Sequence, residues 1–397
     1  MKRLTIPALL LILTAACGPQ TFSPSPTVPP VTSPTLPAAA PGLGPVCLPE
    51  QEGVTLSFEN FENAATDILT YLNAGGEITA LNTDYLRAET GDLSGDGRHD
   101  IIVAVLDPNS AAVPPRGTLF IYHCQDGQYV LAFDLAPVSS DYGAPVIHFV
   151  QDMNADGKVE AVVSTSTCGA HTCFLQVQIL GWDGTGYVNL LEGASDDLPY
   201  SGVDVRAAGD GTFALDVIGT GFGSVGAGPY RVRTRTWTYD PPSGHWKVSG
   251  ETLEPPRYRI HALHDADAAF RAGDYATAEA LYLRVINDAA LLAWADPPIE
   301  QANLGAYARF KLVVLYTQTG RQAEAEAMLN QLRAGPPVSH WRDYTELAEI
   351  YMQGVATAGL GCPTARDYAA NHPDQILLPL GSFGYANPDY NPEDICP

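Results

Sequence analysis

Two acidic turns constrain this chain more than any other feature. Asp92-Leu-Ser94-Gly-Asp96-Gly-Arg98-His-Asp100 and Asp152-Met-Asn154-Ala-Asp156-Gly-Lys158-Val-Glu160 repeat one pattern of oxygen-bearing side chains, with Asp152 sixty positions after Asp92. In such a turn the side chains at positions 1, 3, 5 and 9 converge on one hard cation. Position 7, here Arg98 or Lys158, offers its backbone carbonyl, and glycine at position 6 permits the reversal. A helix-loop-helix calcium site would carry glutamate at position 12, where this chain has Val103 and Val163. The runs that follow, Ile101-Ile-Val-Ala-Val and Ala161-Val-Val-Ser, are β-branched and apolar, so each turn feeds a strand. The pattern therefore predicts two calcium sites inside a β-repeat.

Three segments between residues 85 and 256 share one plan: an acidic turn, an apolar strand, a glycine-rich excursion, an alternating strand and an Asp-Gly or aromatic turn into a last strand. The alternating strands begin at Leu119, Gln176 and Arg233, a spacing close to sixty. Four-strand units at fixed period predict propeller blades or a related β-array. Residues 91–105 and 150–163 resemble the FG-GAP/VCBS repeat family, whose blades carry an Asp-x-Asn-x-Asp-Gly-x-x-Asp calcium loop ahead of a strand. That resemblance implies calcium-stabilised blades in surface-exposed adhesion or binding proteins. Ser94 departs from the family's Asn or Asp, which makes the first site the weaker. The third loop has shrunk to Gly209-Asp210-Gly211-Thr212 and is expected to bind no ion. About three blades make an incomplete propeller, whose open faces must be covered by another part of the chain. The candidates are the segment 46–84, with Phe61, Ala65, Ile68 and Leu72 on one helical face, and the C-terminal region.

From residue 257 to 361 the period becomes helical. Ala266, Phe270, Gly273, Tyr275, Ala278, Tyr282 and Ile286 form one helix-turn-helix, and Leu312, Tyr316, Gly320, Ala325 and Leu329 form another. A third first-helix follows at Leu347 and Tyr351. This region resembles tetratricopeptide repeats, with a loop inserted around 294–299; the resemblance implies either a peptide-binding groove or a purely architectural role. The tail 362–397 reads as irregular. The expected fold is thus a multidomain β + α chain: an incomplete propeller-like array of about three blades, then a short tetratricopeptide-like helical domain.

At the other end, residues 1–17 carry Lys2 and Arg3, an apolar stretch and small residues before Cys17. This is an export signal, and it resembles a bacterial lipoprotein signal in which Cys17 takes the lipid. The expected location is the outer face of the cell membrane or envelope. Residues 18–45 are rich in Pro, Ser and Thr and predict an extended tether. Of seven cysteines, six remain beyond Cys17, an even set that suits an oxidising compartment and allows 15 pairings. Short spacing favours Cys168 with Cys173 and Cys362 with Cys396, which leaves Cys47 with Cys124. A zinc site on Cys168-Gly-Ala-His171-Thr-Cys173 lacks a fourth nearby ligand, so the small-loop disulfide is preferred.

The net charge of −24 repels phosphate backbones, which argues against a nucleic-acid partner. No Gly-x-Ser-x-Gly elbow, phosphate loop or His-Glu-x-x-His marks a catalytic centre. Gly221-Phe-Gly-Ser-Val-Gly226 fits a dinucleotide fingerprint but runs into an alternating strand instead of a helix, so it reads as a hairpin loop. Arg231, Arg233 and Arg235 fall on one strand face and read as solvated; His261 and His264 read as surface residues at the start of a helix. The function these features predict is binding of a protein or glycan at the cell surface, through a calcium-loop β-domain. The rival readings are an extracytoplasmic hydrolase with its site on the β-loops and an assembly scaffold acting through the helices.

Overall fold

Each apolar run behind an acidic turn becomes the second strand of a sheet, and its unbroken hydrophobicity has a structural cause. The computed structural model describes residues 47–57, 61–135 and 143–397. The expected export signal, Cys17 and the expected tether lie outside the described residues.

Among the described residues, twelve strands form three four-stranded antiparallel sheets. The first contains β1 (Leu86–Gly91), β2 (Asp100–Leu106), β3 (Gly117–Gln125) and β4 (Gln128–Leu135). The second contains β5 (Val146–Gln151), β6 (Glu160–Cys168), β7 (Cys173–Trp182) and β8 (Tyr187–Asn189), and the third β9 (Ser201–Ala207), β10 (Phe213–Gly219), β11 (Arg233–Asp240) and β12 (His245–Leu253). Strands pair in chain order within every sheet, and the acidic turn joins the first strand to the second each time. The first strands of successive sheets are neighbours.

The sheets stack face to face. Along β2, Ile101, Val103 and Val105 enter one apolar cluster while Ile102 and Ala104 enter another shared with Ala161, Val163 and Leu180 of the second sheet. Along β6, Val162 points the other way, into a cluster with Leu215, Val217, Trp237 and Trp246 of the third sheet. Strands buried on both faces read as continuous apolar runs, and each fully buried Ile, Leu or Val contributes about 1.5–3 kcal/mol. β10 alternates instead. Leu215 and Val217 face the second sheet, while Asp216 on the opposite face takes hydrogen bonds from Arg206 and Thr236 at 2.7 and 2.5 Å. The stack therefore ends in a polar face that tolerates water.

At the opposite end the first sheet is covered by α1 (Ala64–Asn73). Ala64, Ile68, Tyr71 and Leu72 are its buried residues, so the apolar face is rotated from the expected one, and Phe61 and Ala65 sit at its margin. Tyr122 donates to the Ala65 carbonyl at 3.0 Å, and the Asn73 amide bonds both the N–H and the carbonyl of Tyr129. Cys47 and Cys124 lie at disulfide distance and tie the start of the described chain to β3; Cys168 with Cys173 and Cys362 with Cys396 do so elsewhere.

The helical region is built from antiparallel hairpins: α2 (Arg259–Arg271) with α3 (Tyr275–Asn287), α4 (Pro297–Gln318) with α5 (Gln322–Ala334), then α6 (Trp341–Ala358) with α7 (Gly361–Asn371). Gly273 and Gly320, at φ +78° and +76°, make the first two reversals, which is the left-handed conformation that L side chains resist. The insertion ends at Asp296, whose side chain caps α4 through the Ile299 N–H. The tail expected to be irregular instead opens with α7 and carries three further one-turn helices.

A polar network lies in the middle of this apolar bundle. Lys311 is fully buried, with Nζ 3.5 Å from Asp267 and donating to the carbonyls of Asp394 and Ile395 at 3.1 and 3.2 Å. Tyr282 and Tyr390 donate to the two Asp267 oxygens at 2.5 and 2.7 Å. Burial pushes the Lys311 ammonium below its ordinary range and both phenols well above theirs. The network locks the C-terminal tail to α2 and α4.

The two regions meet where the loop between β10 and β11 docks on α2 and the tail. Ala386 donates to the Ala227 carbonyl at 2.9 Å, the Asn387 amide donates to Pro229 at 3.0 Å, and Arg231 pairs with Asp265 at 2.5 Å. The expectation that His261 and His264 are surface residues is overturned by this contact. His261 is buried against the Pro229 carbonyl, and the buried His264 Nε2 has no hydrogen-bond partner. Sequence periodicity placed them at a helix start but could not show what packs there.

Asp267→Ala strands a buried ammonium and is expected to cost about 3–5 kcal/mol in denaturant unfolding, and a double-mutant cycle with Lys311→Ala gives a coupling of at least about 1 kcal/mol. Burial, first, and the charges of His261, Arg231 and Arg271 lower the His264 pKa to about 3. Below about pH 6.5 the unfolded chain therefore binds a proton that the folded chain does not, and stability falls with acidification by up to about 1.4 kcal/mol per pH unit. His264→Phe is expected to flatten the stability profile between about pH 6.5 and 5, measured by chemical denaturation.

Candidate metal centre

The two acidic turns fold alike and are buried alike, position by position, from Asp92 to Asp100 and from Asp152 to Glu160. Gly97 and Gly157 at position 6 have φ +82° and +89°, with nothing near enough to obstruct a Cβ, so backbone conformation and not space requires glycine there. At position 4 the first turn has Gly95 at φ +75°, whereas Ala155 adopts φ +63° in the second and carries the strain of a left-handed L residue.

Backbone amides gather the side chains. Asp92 accepts from the Asp96 and Gly97 N–H groups at 2.9 and 2.8 Å; Asp152 accepts from Ala155 and Gly157 at 2.8 and 2.9 Å. Asp96 and Asp156 each accept from the N–H two residues on, that of Arg98 or Lys158. The last carboxylate reaches back under the turn. Asp100 accepts from the Ser94 N–H at 2.7 Å and the Cys124 N–H at 3.0 Å, and Glu160 from the Met153 N–H at 2.7 Å and the Asn154 amide at 3.0 Å.

Each turn also joins its sheet to the next. Leu93 is fully buried between the first and second sheets, and Met153 between the second and third. Val159 donates to the Asp92 carbonyl at 3.1 Å, and Phe213 to that of Met153 at 2.8 Å. The Lys158 side chain lies directly over Gly95. In the third sheet the shortened turn is closed by Asp210, which accepts from the Thr212 N–H and hydroxyl at 2.9 and 2.6 Å.

Burial sets the electrostatics. Asp100 is fully buried and its pKa is raised, chiefly by desolvation, against the hydrogen bonds that favour its charged form. Glu160 is pushed up to about 8 by desolvation and then by the charges of Asp156 and Asp152. Among the described residues no three His, Cys, Asp or Glu side chains stand in a geometry ready to grip an ion. The donor chemistry nevertheless suits a hard cation. Every ligand position offers oxygen, the like-charged carboxylates repel one another, and the buried Ser94 Oγ lacks a hydrogen bond of full geometry.

No protein-family model matches the chain, and no curated protein matches it significantly.

Cys168 and Cys173 are paired across β6 and β7. The glycine fingerprint lies in the loop ahead of β11, not before a helix. The arginine face is neither free nor merely solvated: Arg235 bridges Asp197 and Glu251 at 2.7 and 2.9 Å, and Arg233 reaches Glu251 at 3.3 Å. Sequence reasoning missed Lys311, although a lone lysine inside Phe310-Lys-Leu-Val-Val-Leu was a visible anomaly. It also missed Arg257 and Trp294, which line a cleft with Arg231.

Because the Glu160 carboxyl is harder to ionise folded than unfolded, stability without a cation falls as pH rises from about 4.5 through about 8. Glu160→Gln keeps an acceptor for the Met153 N–H and removes the charge. In chelator it is expected to raise the melting temperature at the alkaline end of that window and to leave the acid end nearly unchanged.

Proposed function

We propose that this chain is an exported, lipid-anchored binding protein of the cell surface, in which calcium in the acidic turns locks a propeller-like stack of sheets that serves a protein or glycan ligand. The observation that carries this reading is the recurrence of one oxygen-rich turn at the same place in two successive sheets, where it touches the next sheet. A cation there would be held by Asp92, Ser94, Asp96 and Asp100, and by Asp152, Asn154, Asp156 and Glu160, with the carbonyls of Arg98 and Lys158. It would supply charge neutralisation and rigidity, and no reaction step. The lipid on Cys17 and the tether fit a display role, and the paired cysteines fit an oxidising compartment. The helical hairpins, tetratricopeptide-like in their sequence, serve in this reading to brace the loop ahead of β11.

Loops of this type in extracellular modules bind calcium at roughly 10⁻⁴–10⁻³ M, so about 1 mM free calcium adds about 0.4–1.4 kcal/mol per site by mass action. Thermal melts in calcium and in chelator test the reading. The wild type is expected to melt higher in calcium, and Asp156→Ala is expected to remove more of that increment than Asp96→Ala, because Asn154 makes the second turn the better site. Melting curves indifferent to calcium and chelator would reduce both turns to tight acidic hairpins.

A further inference from the structure

A cleft of about 340 Å³ opens where the loop ahead of β11 meets the start of α2 and the inserted segment before α4. In a chain with 45 acidic and 21 basic residues, its lining sets two arginines against one acidic residue, Glu254. Arg231 and Arg257 both line it. Arg231 is held in place, paired with Asp265 at 2.5 Å and donating to the Glu254 carbonyl, and its side chain is only 15% exposed. Arg257 is exposed, and among the described residues its guanidinium has no ion-pair or hydrogen-bond partner. A free guanidinium fork such as that of Arg257 can take a carboxylate in two parallel hydrogen bonds, whereas the charge of Arg231 is already met by Asp265.

The rest of the wall is aromatic and hydroxylic. Trp294 stands 40% exposed, edge-on to Tyr258 at 6.3 Å, and Phe222 and Tyr230 pack together at 5.5 Å. Aromatic faces of this kind suit the apolar C–H face of a sugar ring. Ser224 and Glu254 also line the cleft, and side chains of these types can bond ring hydroxyls, which an apolar acid would leave unused. From this combination we infer that the cleft is a subsite for a uronic acid residue, its carboxylate on Arg257 and its ring against Trp294. The inference narrows the glycan side of the proposed binding function and rests on that reading.

The test is titration of the full chain with D-glucuronate, followed by calorimetry or by the Trp fluorescence. Saturable binding is expected, with D-glucose and acetate each at least about tenfold weaker, because each lacks one of the two recognised features. Arg257→Ala, an exposed change that leaves the fold intact, is expected to weaken glucuronate about tenfold or more, as loss of a charge-assisted pair does. Trp294→Ala is expected to weaken it while leaving the response to acetate unchanged. The assignment is overturned by absent or unsaturable glucuronate binding, by an Arg257→Ala variant that binds as well as the wild type, or by acetate or inorganic phosphate binding as tightly as glucuronate. If glucuronate fails while the calcium-dependent melt persists, only this subsite falls and the calcium-turn reading stands.

Discussion

The structure of the β-region depends on two carboxylates that fold back under their own turns. Asp100 and Glu160 begin the second strands of their sheets, lie almost wholly out of water, and are held by backbone N–H groups of the turns they close. Removing such a group from water is costly unless its oxygens are hydrogen-bonded, so the turn has one favourable way to close. That closure drives Leu93 and Met153 into the spaces between sheets and presents the carbonyls of Asp92 and Met153 to the next sheet. Register within a sheet and stacking between sheets are thereby set by the same few atoms.

This arrangement explains why the hydrophobic pattern changes along the stack. Inner strands need apolar residues on both faces, and β2 and β6 have them. The ends need something else: α1 supplies an apolar cover on one side, and on the other Arg206, Asp216 and Thr236 form a hydrogen-bonded polar surface. The helical region is consequently free of the task of sealing that last face. It grips one loop, and the buried Lys311 with Asp267 fixes the tail that completes the grip.

Much of this was legible in the sequence because it is local. The turns announce themselves by oxygen spacing, the hairpin glycines by their place between helical periods, and the small cysteine loop by its length. What the sequence concealed is what forms across long separations. His261 looks like a surface residue until Pro229 is packed on it, and Arg231 and Arg235 look like one solvated ladder until Asp265 and Asp197 arrive from other segments. Tyr390 meets Asp267 across 123 positions. The tail's helix was missed because its apolar positions are few, Ala365 and Ala369 being its buried alanines. The first strand of each sheet precedes its acidic turn and carries no motif of its own, so three strands per repeat were more visible than four.

On the proposed function, a cation filling the acidic turns holds successive sheets together. Amide hydrogen exchange at Val159 and Phe213, the two N–H groups that cross from one sheet to the turn of another, reads this directly. With calcium replacing chelator, slower exchange is expected at both amides and across residues 92–100 and 152–160, with the helical region unaffected. Equal exchange rates at these amides in calcium and in chelator would contradict it.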